Sequence, residues 1–336
     1  MVIRRLMGEW SARLFLILLI AGLFAAILFG RRTAQAVEIH AVMPERGGWL
    51  PGNLTAEVNV PLNLRLISDD VLHGFAVGQQ PWPAVDLVPG QMTELTLTFD
   101  EPGTYTYYCT RWCGLNHWRM RGTIEVKGEE NAPSFTGPGS QPPFMTLGLD
   151  LDQPHEVEVD LDRPPSADLG EKLDFTIPTR FATREIYFEE TPYQFWQDLR
   201  EDPGTVSLSD IEIWDLVAFV WQSETTLESL EFGQRLYDQN CAACHGENGD
   251  GDGVMAMPET GDYEPEVFGE SLMPPGDFTD SQKMLGASTA LLQGKIMRGG
   301  MGTGMPYWGT IFTDEEIDAL IDYIWSFQFP FSNGEL

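Results

Sequence analysis

The four cysteines of this 336-residue chain fall in two tight pairs, and each pair sets its own demand on the fold. Cys109 and Cys113 share a short segment with His117 and Met120, directly after a strand-like run, GTYTYYC. Cys241 and Cys244 close a helix-like run and are followed at once by His245 and Gly246. The first pair asks for a β-scaffold, the second for a helical one.

The hydrophobic pattern agrees. Between residues 37 and 127 the runs VEIHAV, TAEVNV, LNLRLIS, TELTLTF, GTYTYYC and GTIEVKG alternate polar with apolar residues, and Pro-Gly at 51–52 and 89–90 marks turns. That pattern predicts a β-sandwich or Greek-key barrel over 36–128. A Pro/Gly/Ser-rich linker follows, placed at 129–144. From 145 onward apolar residues recur at three- and four-residue steps, the mark of amphipathic helices. Within that part Asp210–Trp221 and Asp314–Trp325 align without gaps, with matching Asp, Glu, Ile, Leu and Trp. Two readings are open: independent helices of similar composition, or a duplicated domain of which only the second copy kept a cofactor site. The second reading divides the helical part into 145–224 and 225–332. The first copy lacks cysteine, and its histidine, His155, reads as a surface residue.

The amino terminus bears on compartment. Leu14 to Gly30 carries no charge, and at about 1.5 Å per residue it nearly covers a hydrocarbon core of about 30 Å. Arg4, Arg5 and Arg13 precede it, and Arg31 and Arg32 follow. Residues 1–32 therefore read as a single-pass anchor of a bacterial cytoplasmic membrane, amino terminus inside and the remainder outside. The alternative is a cleaved signal with Ala34-Gln35-Ala36 as its site. The whole chain has a formal charge of -31, and nearly all its acidic residues follow the anchor. Such a surface excludes a nucleic-acid binder and docking on anionic lipid through charge. It suits either a docking field for a cationic donor or adaptation to a salty medium.

Thiol, imidazole and thioether together are the soft ligand set that selects copper. His73, at an earlier strand end, adds a second imidazole. One copper ion needs one cysteine, whereas two cysteines four apart can bridge two ions, each with a histidine as terminal ligand. A Cys109–Cys113 disulfide and a Cys2His2 zinc site are the competing readings, and neither accounts for Met120.

These residues resemble the binuclear copper (CuA) domain of subunit II of haem-copper oxidases, a cupredoxin fold. The matching pieces are Asp70-Val-Leu-His73-Gly-Phe, Val88-Pro-Gly90, Glu101-Pro-Gly-Thr-Tyr105, Cys109-x3-Cys113-Gly-x2-His117-x2-Met120 and Gly122-Thr-Ile-Glu-Val126. The resemblance implies that Cys109 and Cys113 bridge the coppers, with His73 and His117 as terminal ligands. It makes Met120 and the backbone carbonyl of Arg111 the weak axial ligands. Most relatives carry Glu where this chain has Arg111, so the magnesium contact linked to that Glu is not carried over.

Cys241-Ala-Ala-Cys244-His245 is the c-type haem attachment pattern, with both thiols joined to the haem and His245 an iron ligand. The order that follows, a Gly-rich loop, Gly299-Gly-Met301-Gly-Thr-Gly-Met305-Pro-Tyr-Trp308 and a closing helix, resembles class I cytochrome c. By that resemblance Met305, which precedes a proline, is the distal ligand, with Met301 and then Met273 behind it. Asn248-Gly-Asp250-Gly-Asp252 with Glu259 approaches a calcium loop, but no helix pair flanks it. It reads as a turn.

The expectation is a multidomain chain: one transmembrane helix, a cupredoxin-like Greek-key barrel or sandwich, then all-α cytochrome c-like domains. It would hold one binuclear copper centre and one covalent haem c. It would pass electrons from a donor, a cationic cytochrome c or a quinol-oxidising complex, through haem and copper to haem-copper oxidase subunit I, which reduces dioxygen. The same relay in a CuA-type nitric oxide reductase and a stand-alone anchored electron carrier are the alternatives.

Overall fold

The computed structural model describes residues 36–114, 117–128, 142–181, 183–256, 274–300 and 304–331. The anchor expected at 1–32 lies outside the described residues, as do most of the linker, Glu259, Met273 and Met301. Among the described residues no helix is long and apolar enough to cross a membrane.

The first part is a cupredoxin-like sandwich of two sheets. One has the order β2-β1-β4-β7, from Trp49–Leu50, Val37–Ala41, Leu62–Ser68 and Met92–Leu97. The other has the order β3-β9-β8-β5-β6, from Asn53–Glu57, Arg121–Lys127, Gly103–Tyr108, His73–Val77 and Val85–Leu87. β1 with β4 and β3 with β9 pair in parallel, and the remaining neighbours are antiparallel. β4 shows how the sequence selects this. Leu62, Leu64, Leu66 and Ser68 are buried on one face and Arg65 is exposed on the other, so a one-residue slip would turn the leucines to water. The enclosed core joins Ile39, Leu64, Leu66, Phe99, Tyr107 and Ile124.

The six alternating runs are strands, although β3 ends at Glu57, short of the expected Val60. The structure adds β2, β5 and β6. β5 is buried at every position, so it lacks the alternation that marks a half-exposed strand.

The second part holds ten helices among the described residues. They are α1 Pro143–Thr146, α2 Ala167–Glu171, α3 Arg184–Glu189, α4 Pro192–Glu201, α5 Asp210–Ser223, α6 Leu227–Asn240, α7 Ala242–His245, α8 Ser281–Met284, α9 Thr289–Arg298 and α10 Asp314–Ser326. The repeat segments are α5 and α10. Both start at a Ser/Thr-x-x-Glu box: Ser209 N–H donates to Glu212 at 2.8 Å and Thr313 N–H to Glu316 at 2.7 Å. Each is crossed by a partner helix at a glycine. Gly170 of α2 lies against the backbone of Asp215, and Gly233 of α6 against that of Ala319. Asp215 and Ala319 occupy equivalent positions of the repeat. The glycines sit in related contexts too, Ala167-Asp-Leu-Gly170-Glu-Lys-Leu173 and Leu230-Glu-Phe-Gly233-Gln-Arg-Leu236. A Cβ at either glycine would drive the helices apart.

Residues 145–224 and 225–332 contribute to one hydrophobic cluster, joined where Trp221 meets Trp325 with ring centroids 6.3 Å apart. His155 is not the plain surface residue expected. Its Nδ1 donates to the Lys283 carbonyl at 2.8 Å and its Nε2 accepts from Lys295 at 3.1 Å, tying its segment to the later helices.

Two carboxylates in this core give testable effects. Asp215 is 1% exposed and takes both Arg163 nitrogens together with the Ser166 N–H. Asp215→Ala strands that buried set, and urea denaturation should show a loss of about 2–3 kcal/mol, moderated because Arg163 retains contact with water. Asp318 behaves oppositely. Burial raises its pKa from 3.8 to about 6, against the pull of Arg184. Its contribution to stability is therefore full below pH 3.8 and is lost as pH rises through about 6. Asp318→Asn removes that dependence, so the variant should gain stability over the parent at pH 7 and not at pH 4. Denaturation midpoints at the two pH values check this.

Candidate copper and haem sites

The end of β8, the start of β9 and the start of β5 meet at one corner of the sandwich. β5 opens with His73, Cys109 follows β8 directly, and Met120 precedes β9. Cys109 Sγ lies 3.7 Å from Cys113 Sγ, 3.8 Å from His73 Nδ1 and 3.2 Å from the Arg111 carbonyl oxygen. Cys113 Sγ lies 3.4 Å from His117 Nδ1 and 3.6 Å from Met120 Sδ. All six residues expected from the sequence therefore converge. Among the described residues, His73, Cys109 and Cys113 form a group able to hold a metal ion.

Local contacts fix Cys109, Met120 and Arg111. Gly74 N–H donates to Cys109 Sγ at 3.4 Å. The Met120 carbonyl accepts from Cys109 N–H at 3.0 Å and from Trp49 Nε1–H at 3.1 Å, closing the loop onto the core. Arg111 turns its side chain outward to Asp86 in a two-point pair at 2.7 and 3.2 Å, leaving its carbonyl at the cluster. The sulfurs are too far apart for a disulfide, whose S–S bond is about 2.05 Å, and both cysteines are free. The hydrogen bond between them favours one thiolate beside one thiol: it pulls the Cys109 pKa down to about 3 and pushes that of Cys113 up. A metal would displace the remaining proton. Two soft thiols, two imidazoles and a thioether in one buried nest fit copper.

Asp70 is the residue that sequence reading passed over. Its carboxylate accepts from His73 Nε2 at 2.8 Å, which sets the tautomer and leaves Nδ1 facing Cys109. It also accepts from the Met43 and Val71 N–H groups. Burial disfavours a charged His73, but hydrogen bonds to Cys109 and Asp70 outweigh that and raise its pKa. The signal was present in Asp70-Val-Leu-His73, where a carboxylate precedes the imidazole by three. Asp70→Asn should weaken copper binding by about 10–100-fold with the fold intact, measured by competition with a chelator.

The second site is helical. α6 ends at Asn240, and α7 turns Cys241 and Cys244 into hydrogen-bonded neighbours, Cys244 N–H donating to the Cys241 carbonyl at 3.0 Å. A cavity there is lined by Cys241, His245, Met305, Phe278, Trp308 and Phe312, among others. His245 Nδ1 donates to the Gly276 carbonyl at 3.0 Å, which leaves Nε2 as the nitrogen able to ligate a metal. Its ring stacks on Phe278 at 4.5 Å, and burial lowers its pKa, keeping it neutral. Burial raises Cys241 to about 12 and Cys244 also upward, so both remain thiols. Cys241, a neutral His245 and Met305 around an apolar, aromatic cavity, with Cys244 one turn on from Cys241, fit a covalently held haem. The structure brings Cys241, His245 and Met305 to that one cavity, whereas Met301 lies outside the described residues.

Fold and donor sets thus define a cupredoxin with a sulfur–imidazole nest, joined to a helical domain of c-type cytochrome pattern. Comparison with known families agrees. Residues 52–127 match the family model "Cytochrome C oxidase subunit II, periplasmic domain", and residues 230–328 match "Cytochrome c". A cytochrome c oxidase subunit 2 of Thermus thermophilus is 35% identical over 80 residues, covering 24% of this chain and 58% of that protein. One of Synechocystis is 25% identical over 104 residues, 31% of each chain. The chain spans about half the length, or less, of the curated relatives it matches. Among solved structures, the periplasmic domain of subunit II of cytochrome oxidase of Bradyrhizobium japonicum is 20% identical, covering 28% of this chain and 85% of that one, with a TM-score of 0.23. The two matches fall in the sandwich and in the helical part, and together they support a fusion of a cytochrome c oxidase subunit II periplasmic domain with a cytochrome c domain.

Proposed function

We propose that this chain is the electron-transfer subunit II of a membrane terminal oxidase. Electrons pass from a donor through haem c and a binuclear CuA centre to a haem-copper catalytic subunit that reduces dioxygen. The observation that carries this reading is a copper-type donor cluster and a haem-type cavity in one chain. When bound, the two groups supply one-electron redox chemistry, and the oxygen-reducing site belongs to the partner subunit.

The chain's own residues hold and tune the groups. Cys109, Cys113, His73 and His117 would hold the copper, with Met120 and the Arg111 carbonyl beside them as weaker donors. Asp70 holds the His73 ring, and Trp49 holds Met120 through its carbonyl. Cys241 and Cys244 would attach the haem, and His245 and Met305 would be its protein ligands. Residues 145–224 are a haem-less cytochrome-like domain, a reading supported by the paired glycine crossings. The soluble domains face the outside of a bacterial cytoplasmic membrane, a placement supported by the periplasmic character of the matched family.

The test is purification of the intact complex from membranes, followed by turnover measurements. Oxygen uptake accompanied by oxidation of this chain's haem and copper supports the oxidase. Nitric oxide consumption without oxygen uptake assigns the relay to a reductase, and isolation with no membrane partner leaves a stand-alone carrier.

A further inference from the structure

β8 and β9 deliver the copper loop from one rung of their ladder. Tyr108 pairs with Arg121, and the residues beyond that rung are Cys109 and Met120. The same rung is where the sandwich meets the helices. Tyr108 packs against the helical core, and Arg121 donates to the Tyr307 carbonyl at 2.6 Å. The Arg121 guanidinium lies 5.2 Å from the centre of the Trp308 ring. Burial lowers its pKa to about 10, which still leaves a cation at neutral pH over an aromatic face. Trp308 is itself buried, stacks on Phe312 at 4.9 Å and lines the cavity that holds Cys241, His245 and Met305. A single side-chain contact therefore separates the neighbour of Met120 from the wall of the haem-type cavity.

A second set of contacts fixes this approach. Gln79, just past the end of β5, donates from its backbone to the Ile311 carbonyl and from its side chain to the Gly309 carbonyl, both at 2.8 Å. A Cβ on Gly78 would come 2.6 Å from the Thr310 oxygen and 2.7 Å from Ile311 Cα, so this contact admits only glycine. The loop from Tyr307 to Ile311 is thus held at two places, beside the copper loop and at the end of the strand that begins with His73.

We propose that Arg121 and Trp308, clamped by Gly78 and Gln79, form a fixed bridge that keeps the haem cavity and the copper cluster in one electron-transfer arrangement. The inference rests on the relay proposed above and names the positioning residues within it. With both groups loaded, one electron would leave reduced haem and enter oxidised copper, with no bond made or broken. Arg121 stays protonated and Trp308 stays unoxidised, serving as packed medium between the centres. A tethered domain would have to swing before each transfer; this one stays docked.

The test uses the full chain loaded with haem and copper. Haem is photoreduced and the copper absorption followed, while hydrogen exchange at the Gln79 amide reports docking. In the parent, transfer should be independent of viscosity and ionic strength. Arg121→Gln should speed Gln79 exchange by about tenfold, the equivalent of one charge-assisted hydrogen bond. It should also slow transfer by about tenfold or more, as expected when reacting groups shift by about an ångström. Both absorption spectra should be unaltered. Gly78→Val should act in the same direction, and Arg65→Gln, on the far sheet, should do neither. Should Arg121→Gln fail to fold, Gln79→Ala must show the faster exchange and slower transfer. Transfer that slows with viscosity in the parent, or that is unchanged in every interface variant, overturns the bridge while leaving the relay standing. No haem-to-copper transfer in the fully loaded parent overturns the relay, and the bridge with it.

Discussion

Replacing Cys109 with serine should abolish the proposed binuclear copper centre while leaving the proposed haem attachment untouched. Cys109 Sγ is the hub of the cluster, with Cys113, His73 and the Arg111 carbonyl all within 3.8 Å. A hydroxyl at that position is a hard, poorly ionised donor and cannot bridge two soft ions. Loss of a directly bonded thiolate should exceed the roughly 10–100-fold typical of outer contacts, so copper content should fall from two ions per chain to one or none. Electron paramagnetic resonance checks the same point. The hyperfine pattern of an electron shared between two copper nuclei should disappear, and a residual ion should show the pattern of one nucleus. Because the cluster lies in the sandwich and the haem cavity among helices, haem content should remain at one per chain. A serine variant that kept two coppers and the shared-electron spectrum would remove the bridging role from Cys109.

The second large effect concerns the covalent haem. In the double variant Cys241→Ala, Cys244→Ala no thiol remains in the helical domain to form a thioether bond. Haem stain on the denatured chain should vanish, and acid–organic extraction should remove whatever haem is bound. Copper content should be unaffected. His245 and Met305 would still border the cavity, so weak reversible binding of haem is compatible with this result, whereas persistence of covalent haem is not. Met305→Leu separates Met305 from the other two methionine candidates. A haem that turns high-spin identifies Met305 as the distal ligand, and an unchanged spectrum transfers the role to Met301 or Met273.

Much of the donor set was legible because it depends on residue type and spacing. Two thiols four apart, with imidazole and thioether behind them, have few other uses, and C-x-x-C-H has fewer. The long alternating strands were legible because one face of each is wet. β5 was not, because covering on both faces erases alternation, and β6 is too short to show a period. Asp70 went unnoticed because a carboxylate near a histidine acquires meaning only when folding points one at the other. Arg121, Trp308 and Gln79 lie beyond local pattern altogether: residues up to 230 positions apart meet only after both domains have formed. The glycine crossings were half visible. The α5/α10 repeat stood out, but the shared Gly in α2 and α6 gained weight only once each was seen against an equivalent carbonyl.

At Gly170 two helices touch backbone to backbone in a segment without a cysteine. That crossing is seated by shape alone and owes nothing to a prosthetic group. Its counterpart at Gly233 has the same geometry, with Tyr237 one turn on donating to the Gly246 carbonyl beside the attachment histidine. At both crossings the spacing of the helical walls is therefore set by backbone contact within the chain itself.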